Sequence, residues 1–193
     1  MTSDILSAVD LLRTQPDAVL LVPTETVYGL VCDWYSVGGR DRIYQMKQRP
    51  ENKLLAAFLP DIDAVYDFVP ALSETAEKIA RAFMPGPITL VVPDGKGGTF
   101  GFRIPDHPML LPLLREYGKP LASTSANRSG EPSTLNVEDA LRGLVGKPDH
   151  VLDAGAIPAG SCASTVIAVN ESGEWKILRE GPVTAEEIRQ RLA

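Results

Sequence analysis

The 193-residue sequence is poor in cysteine, histidine and long apolar runs, and each shortage excludes a class of protein. Its two cysteines, Cys32 and Cys162, are too few for a disulfide scaffold or a four-cysteine zinc site. Its two histidines, His107 and His150, lack neighbours that would complete a nucleophile triad or a metal site. No segment approaches the ~20 apolar residues of a membrane-spanning helix. We therefore expect neither a membrane partner nor a tightly bound metal.

The sequence also lacks an excess of basic residues. Its formal net charge is -6, from 19 Lys and Arg against 25 Asp and Glu. General nucleic-acid binders are usually basic overall, so at most a weak, local contact with nucleic acid is expected. The N-terminus shows no basic flank followed by an apolar stretch, so no secretory signal is expected. Together with the scarce cysteines, this predicts a cytoplasmic protein.

Patterns typical of strands and helices alternate along the chain. Strands are expected at residues 18–22, 54–59, 88–92, 100–104, 121–123, 151–153, 165–169 and 175–179. Helices are expected around residues 5–12 with Ser3 as cap, at 39–48, 73–84, 109–117 and 137–144, and after a capping box of Thr184 and Glu187. This alternation predicts an α/β fold with a mixed sheet and flanking helices. No repeat or long linker is evident, so one domain is expected over residues 1–193.

The segment from Pro23 to Leu30, PTETVYGL, places hydroxyl groups directly after a predicted buried strand. Thr24 and Thr26 would emerge at the end of that strand, where ligands of open α/β sheets commonly bind. Gly29 would permit a close approach of the backbone. The alternative is an ordinary turn, in which the threonines satisfy local backbone groups. The residue types alone leave both interpretations open.

The segment from Lys47 to Pro50, KQRP, combines two cations at the end of a predicted helix, and Lys53 adds a third. The fork of Arg49 and the compact charge of a lysine suit phosphate or carboxylate oxygens. However, cations near a helix C-terminus are also favoured by the helix dipole, without any ligand. The segment therefore predicts either an anion site or a stabilised helix end.

The segment from Ser123 to Gly130, STSANRSG, lies between a predicted strand and a predicted helix. Loops in that position often bind anions through hydroxyl and backbone N–H groups. Ser125 and Asn127 are two residues apart, so in an extended segment they face the same way and could touch one ligand. The same composition would also suit a solvated linker.

In this order, the three segments resemble the YrdC/TsaC family of threonylcarbamoyl-AMP synthases. The resemblance extends over residues 20–182 and includes the blocks PGPIT, RIPDHP, STVI and LREG at residues 85–89, 103–108, 164–167 and 178–181. It implies a YrdC-like fold with a twisted open sheet. It also implies a nucleotidyltransferase that converts L-threonine, bicarbonate and ATP into threonylcarbamoyl-adenylate and pyrophosphate, for the N6-threonylcarbamoyladenosine (t6A) modification of tRNA.

The resemblance also implies the roles of individual residues. It assigns contacts with threonine to Thr26, Arg103, Ser123 and Ser164. It assigns contacts with ATP to Arg49, Lys53, Ser125, Asn127, Ser133 and Arg179. We expect Lys47 and Arg49 to be the catalytic cations, because this chemistry needs positioned positive charge rather than a side-chain nucleophile. Mg²⁺ would arrive with the ATP phosphates.

The chain departs from the family pattern at Phe58, where some members carry a histidine near the threonine. The single domain resembles the short form of the family, which would pass its product to the transferase proteins of the t6A pathway, with weak tRNA contact. Two alternatives remain, namely a related carbamoyl-adenylate-forming or YciO-like enzyme, and an RNA-binding module. Only an enzyme would consume ATP without RNA.

Overall fold

The structure, a computed structural model, describes residues 2–193 as six α-helices and a nine-stranded sheet. The helices are α1 (Ser3–Thr14), α2 (Val37–Lys47), α3 (Glu74–Phe83), α4 (Leu110–Tyr117), α5 (Val137–Gly143) and α6 (Ala185–Leu192). The strands are β1 (Leu20–Val22), β2 (Gly29–Asp33), β3 (Ala56–Phe58), β4 (Ile88–Pro93), β5 (Thr99–Arg103), β6 (Leu121–Ser125), β7 (His150–Val151), β8 (Thr165–Val169) and β9 (Trp175–Arg179). A short 3-10 helix covers Asp63–Val65.

The strands form one open sheet in the order β7-β1-β2-β6-β3-β5-β4-β8-β9. The pairs β1–β7, β3–β5 and β4–β8 are parallel, and the remaining neighbours are antiparallel. The expected α/β fold with a mixed open sheet is therefore confirmed. The neighbouring strands β6, β3 and β5 are not consecutive in the chain, so the sheet gathers segments that the sequence separates.

The principal element that the sequence reading missed is β2. This strand begins at Gly29, inside the PTETVYGL segment, and pairs with β1 through Val22 and with β6 through Ser125. The turn from Pro23 to Tyr28 reverses the chain between two buried antiparallel strands. Because the residues of this turn are polar, the apolar pattern of the sequence does not show where the second strand begins.

Helix boundaries also differ from expectation by one or two residues. Thr2, and not Ser3, occupies the N-cap of α1, and it makes no side-chain capping bond. Helix α2 ends at Lys47 because Gln48 adopts a left-handed conformation with φ 48°, one residue before the expected end. The capping box of Thr184 and Glu187 at α6 is confirmed, with bonds in both directions.

Along the central strands, successive side chains alternate between two faces of the sheet. One face is filled by the apolar core, and the other is open to a cavity. On one face Ala57, Leu90, Phe102 and Ile167 are fully buried in the apolar cluster that includes residues of α3 and α6. The intervening residues on the same strands, Ala56, Val91, Gly101 and Val166, border a cavity instead. Because successive side chains of a strand point to opposite faces, the core and the cavity share the same strands. This open face is where a ligand can reach the sheet.

Candidate active site

A cavity of about 280 Å³ lies on the open face of the central strands. Its volume is close to the lower end of the range for small-molecule sites, roughly 300–1,000 Å³. Its floor is built from small residues, and a side-chain carbon added at Gly101 would come no closer than 3.8 Å to Ala56 or Val91. The polar residues on its walls are arginines and hydroxyls: Arg49, Arg103, Arg179, Thr24, Thr89, Thr99, Ser123, Thr124, Ser125 and Ser164. The arrangement suits an anionic ligand with a flat or apolar portion.

The turn between β1 and β2 is fixed by Thr24. Its hydroxyl oxygen accepts the backbone N–H groups of Thr26 at 3.1 Å and of Val27 at 3.0 Å. It also lies 2.8 Å from the Thr26 hydroxyl, and both threonines are buried. The turn alternative of the sequence reading is therefore correct for Thr24, which also borders the cavity. Thr24 therefore both stabilises the turn and forms part of the cavity wall.

Arg103 is held against this turn at one end of the cavity. Its Nε donates to the Gly86 carbonyl at 3.1 Å, and its Nη2 donates to the Thr26 hydroxyl at 3.0 Å. The same Nη2 lies 2.7 Å from Oε1 of Glu25. Thr26 does not border the cavity itself but positions Arg103, which does. The Arg103 guanidinium also lies 5.8 Å from the centre of the Phe58 ring, so it can make a cation–π contact there.

Arg49 lies at another wall of the cavity and is bound by backbone carbonyls alone. Its Nε donates to the Lys53 carbonyl and its Nη2 to the Leu54 carbonyl, each at 3.0 Å. Burial lowers the pKa of Arg49 from its ordinary value, because the charged form loses hydration. Among residues 2–193 no carboxylate forms an ion pair with it. The left-handed Gln48 turns the chain so that Arg49 leaves the helix and reaches the cavity.

Arg179 reaches the cavity from β9. Its Nη2 donates to the backbone oxygen of Ser164 at 2.7 Å and to the hydroxyl of Ser164 at 3.2 Å. That hydroxyl also contacts the Thr89 hydroxyl at 2.8 Å. Burial first, and then repulsion by Arg103 and Arg49, lowers the pKa of Arg179. Arg103 and Arg49 are therefore close enough to Arg179 to repel its charge.

Gly181 allows this contact between β9 and the Ser164 segment. A side-chain carbon at Gly181 would lie 2.4 Å from the Thr165 nitrogen and 2.6 Å from the Ala163 oxygen. These are backbone atoms, so they could not move aside as a flexible side chain could. The LREG segment therefore combines an arginine at the cavity with the glycine that lets its strand pack closely.

Two serines of β6 border the cavity as expected. Ser123 is buried and donates to the Ala56 carbonyl at 2.9 Å. Ser125 is half-buried at the end of the strand. The parallel and antiparallel neighbours of β3 thus bring Ser123, Ser125 and Arg103 to one cavity. The sequence reading grouped these residues, and the structure brings them together.

Lys47 lies behind the cavity wall rather than on it. It is 1% exposed, and its ammonium donates to the backbone oxygens of Ser125 and Asn127. Burial, with a smaller repulsion from Arg49, lowers its pKa to about 7. The structure therefore places the ammonium of Lys47, an expected catalytic cation, against backbone oxygens and outside the lining of the cavity. Because it binds the backbone of the loop that begins at Ser125, it acts as a clamp beneath the site.

Asn127 is also directed away from the cavity, contrary to expectation. Its amide nitrogen donates to the carbonyls of Arg128 at 2.9 Å and of Glu131 at 2.7 Å. The assumption that Ser125 and Asn127 lie in one extended segment is wrong, because β6 ends at Ser125 and the loop bends back on itself. Lys53 and Ser133 likewise do not border the cavity, and Lys53 is exposed. These two contribute to the site only if the ligand or the loops extend beyond the cavity.

Several cavity residues were missed by sequence reasoning. Thr89 lies in a predicted strand and Thr99 directly precedes another, and each is next to a buried apolar residue. That alternation is a usable signal, because a hydroxyl on the non-core side of a central strand must face either solvent or a cavity. In the part of the chain that the structure describes, no cluster of acidic, histidine or cysteine side chains could hold a metal ion. No helix within residues 2–193 is long and apolar enough to cross a membrane.

Comparisons with known proteins agree on the family. A model of the Sua5/YciO/YrdC family, described as telomere recombination, matches residues 14–181. Threonylcarbamoyl-AMP synthase of Bacillus subtilis is 34% identical over 194 residues, which cover 95% of this chain and 55% of that protein. The mouse protein of the same name is 34% identical over 178 residues, covering 85% and 62%. Pyrococcus abyssi Sua5 complexed with L-threonine has a TM-score of 0.87 at 29% identity, over 97% of this chain and 57% of that chain.

The chain spans about half to three-fifths of the length of these relatives. Residues 14–181, which the family model matches, contain all nine strands and all the residues that border the cavity. Since the family model matches most of the chain and the relatives are 34% identical, the chain belongs to the Sua5/YciO/YrdC family.

Proposed function

We propose that this chain converts L-threonine, bicarbonate and ATP into L-threonylcarbamoyl-adenylate and pyrophosphate, the precursor step of t6A modification in tRNA. The observation that carries the proposal is the charge of the cavity. Arg49 and Arg179 border it without a carboxylate partner among the described residues, while Arg103 is paired with Glu25. Cations that are partly buried and unpaired are costly unless an anion joins them. Relatives named threonylcarbamoyl-AMP synthase, and the threonine complex of Sua5, indicate which anions these are.

The proposal divides the cavity between the two substrates. Arg49 and Arg179 would hold the ATP phosphates, with the Ser125 hydroxyl as a further donor. Arg103 would hold the threonine carboxylate, and the hydroxyls of Ser123 and Ser164 would complete that end. Charge-assisted bonds from arginine to such oxygens are short and directional. All six residues are therefore proposed to bind substrate, and the role of each depends on which substrate it contacts.

The reaction needs alignment more than it needs a reactive side chain. The threonine amine and bicarbonate give a carbamate with loss of water. One carbamate oxygen then bonds to the α-phosphorus of ATP, and the bond to the bridging oxygen breaks to release pyrophosphate. The arginines would neutralise negative charge that develops on the phosphates, which is electrostatic stabilisation by groups already in place. Lys47 would contribute by fixing the loop at Ser125 rather than by touching the phosphates.

Mg²⁺ is proposed as part of the substrate complex. The described residues offer no metal-binding cluster, so the ion would arrive coordinated by the ATP phosphates and water, as is common for Mg²⁺. We further propose that residues 1–193 act as one catalytic domain in the cytoplasm. Its product would pass to the transferase proteins of the t6A pathway, with tRNA making weak contact.

The direct test incubates the pure chain with ATP, L-threonine and bicarbonate and analyses the products by mass spectrometry. The expected products are threonylcarbamoyl-adenylate and pyrophosphate, formed only when threonine and bicarbonate are both present. Release of ADP and orthophosphate would contradict the mechanism. ATP turnover that ignores threonine would favour a related carbamoyl-adenylate-forming or YciO-like enzyme. RNA binding with no ATP turnover would favour an RNA-binding module.

A further inference from the structure

Glu25 is the one acidic side chain that touches the arginines of the cavity in the described part of the chain. Its Oε1 lies 2.7 Å from Arg103 Nη2. Yet both carboxylate oxygens are buried without a partner in hydrogen-bond geometry. The contact is therefore an ion pair in which the charges are close but the N–H direction is poor. A buried carboxylate that accepts no sound hydrogen bond reduces stability, so the fold gives no reason for it.

Glu25 is also not needed to orient Arg103. The guanidinium is already fixed by two directional bonds, from Nε to the Gly86 carbonyl and from Nη2 to the Thr26 hydroxyl. Its side chain is only 5% exposed, so packing restricts it further. What Glu25 adds is negative charge beside one particular arginine. Its effect must therefore be sought in the electrostatics of that end of the cavity.

The other two arginines of the cavity have no such partner. Arg49 binds only the carbonyls of Lys53 and Leu54. Arg179 binds only the carbonyl and hydroxyl of Ser164. Backbone carbonyls satisfy the donors but leave the full positive charge. The cavity thus contains one neutralised arginine, Arg103, and two arginines, Arg49 and Arg179, that keep their full positive charge.

We propose that Glu25 is a specificity-determining residue that directs one of two anionic ligands to Arg103 and the other to Arg49 and Arg179. By cancelling most of the charge of Arg103, it leaves donors suited to the single carboxylate of an amino-acid zwitterion. A polyphosphate, with several negative charges, is repelled by Glu25 and gains little from the paired arginine. It therefore binds at Arg49 and Arg179. The naming of the two ligands rests on the proposed function, whereas the charge difference rests on the contacts themselves.

The chemistry makes this sorting useful. A triphosphate is the more highly charged ligand, and without Glu25 it would be attracted to all three arginines. Occupation of the Arg103 end by phosphate would exclude the amino acid and stop the reaction. Buried charges interact strongly because little water screens them. A single carboxylate at the right arginine can therefore decide which ligand binds there.

The test measures L-threonine binding by calorimetry with and without saturating inorganic pyrophosphate. In the parent chain we expect pyrophosphate to change the threonine Kd less than twofold, because the two ligands bind different arginines. In Glu25→Gln, which removes the charge but keeps the shape, pyrophosphate should raise the apparent threonine Kd at least tenfold. Glu25→Asp keeps the charge and should behave like the parent. Glu51→Gln is the matched control, because it makes the same change in net charge at an exposed position and should also behave like the parent.

The outcomes separate this inference from the proposed function. Competition between pyrophosphate and threonine in the parent, or its absence in Glu25→Gln, overturns the sorting role while the enzyme proposal stands. Competition in the parent overturns the sorting role even if the glutamine variant does not fold. A parent chain that binds no threonine and forms no adenylate contradicts the proposed function, and this inference falls with it.

Discussion

The two faces of the central strands have different surroundings, although neighbouring residues of the same strands contribute to both. One face presents Leu90 and Phe102 to a fully closed apolar core. The other presents small and hydroxylated residues, such as Gly101 and Thr89, to a cavity rimmed by arginines. The comparison teaches that the fold is stabilised from one side of these strands, which leaves the other side free to carry chemistry. Substitutions on the two faces should therefore have separable effects on stability and on binding.

The largest expected effect comes from breaking the filled face. Phe102→Ala should lower the free energy of unfolding by about 3–5 kcal/mol, since it removes a fully buried ring and leaves a cavity. The comparison variant is Val91→Ala on the open face, where the side chain is only half-buried and less should be lost. Urea denaturation of both variants measures the difference. Equal losses of unfolding free energy would show that packing on the open face contributes as much to stability as packing on the filled face.

The next effect concerns binding at the open face. Arg49→Ala should weaken ATP binding about ten- to a hundredfold, because a charge-assisted hydrogen bond contributes about 1.5–3 kcal/mol. Arg142→Ala is the control, since Arg142 is exposed on α5 and pairs only with Glu138 and Asp139. Calorimetric titration with ATP compares them. Indistinguishable binding curves would mean that the KQRP segment is a helix end and nothing more.

Lys47, the clamp beneath the open face, should make the stability of the protein depend on pH. The pKa of Lys47 is lowered in the folded protein from 10.5 to about 7, so between these values the unfolded chain binds more protons than the folded one. Stability should therefore rise with pH from about 7 towards 10.5, by at most about 1.4 kcal/mol per pH unit from this group. Lys47→Met lacks the titrating group, so the difference in unfolding free energy between parent and variant should change over this window. If the difference in unfolding free energy between parent and variant did not depend on pH, the lowered pKa of the buried Lys47 ammonium would be contradicted.

The smallest effects separate two neighbours in the loop that follows β6. Ser125 borders the cavity, so Ser125→Ala should reduce adenylate formation while leaving the melting temperature almost unchanged. Asn127 bonds to the carbonyls of Arg128 and Glu131, so Asn127→Ala should lower stability by about 1 kcal/mol. Thermal melts and activity assays on both variants test this. If Asn127→Ala abolished ATP binding at full stability, the side chain would have to turn towards the ligand.

Local patterns were sufficient to predict most of the elements. Strands β8 and β9 begin and end where their apolar runs predict, and the capping box of α6 is present. The grouping of Arg49, Arg103 and Arg179 at one site came from the resemblance to a family, since each segment alone also suited a bland structural role. Strand β2 escaped prediction because its start is hidden in a polar turn, where local composition and long-range pairing disagree.

Local sequence patterns account for the α/β alternation, the positions of most helices and strands, and the presence of three donor-rich segments. These features depend on hydrophobic periodicity and on short-range hydrogen bonds, so neighbouring residues are enough to predict them. Three other features follow from long-range contacts: Lys47 lies under the cavity, Asn127 bonds within its own loop, and Glu25 pairs with one arginine of three. Such outcomes depend on which distant backbone and side-chain groups the sheet brings together. The direction of a polar side chain is fixed by those partners, and a linear sequence does not state the distances between them.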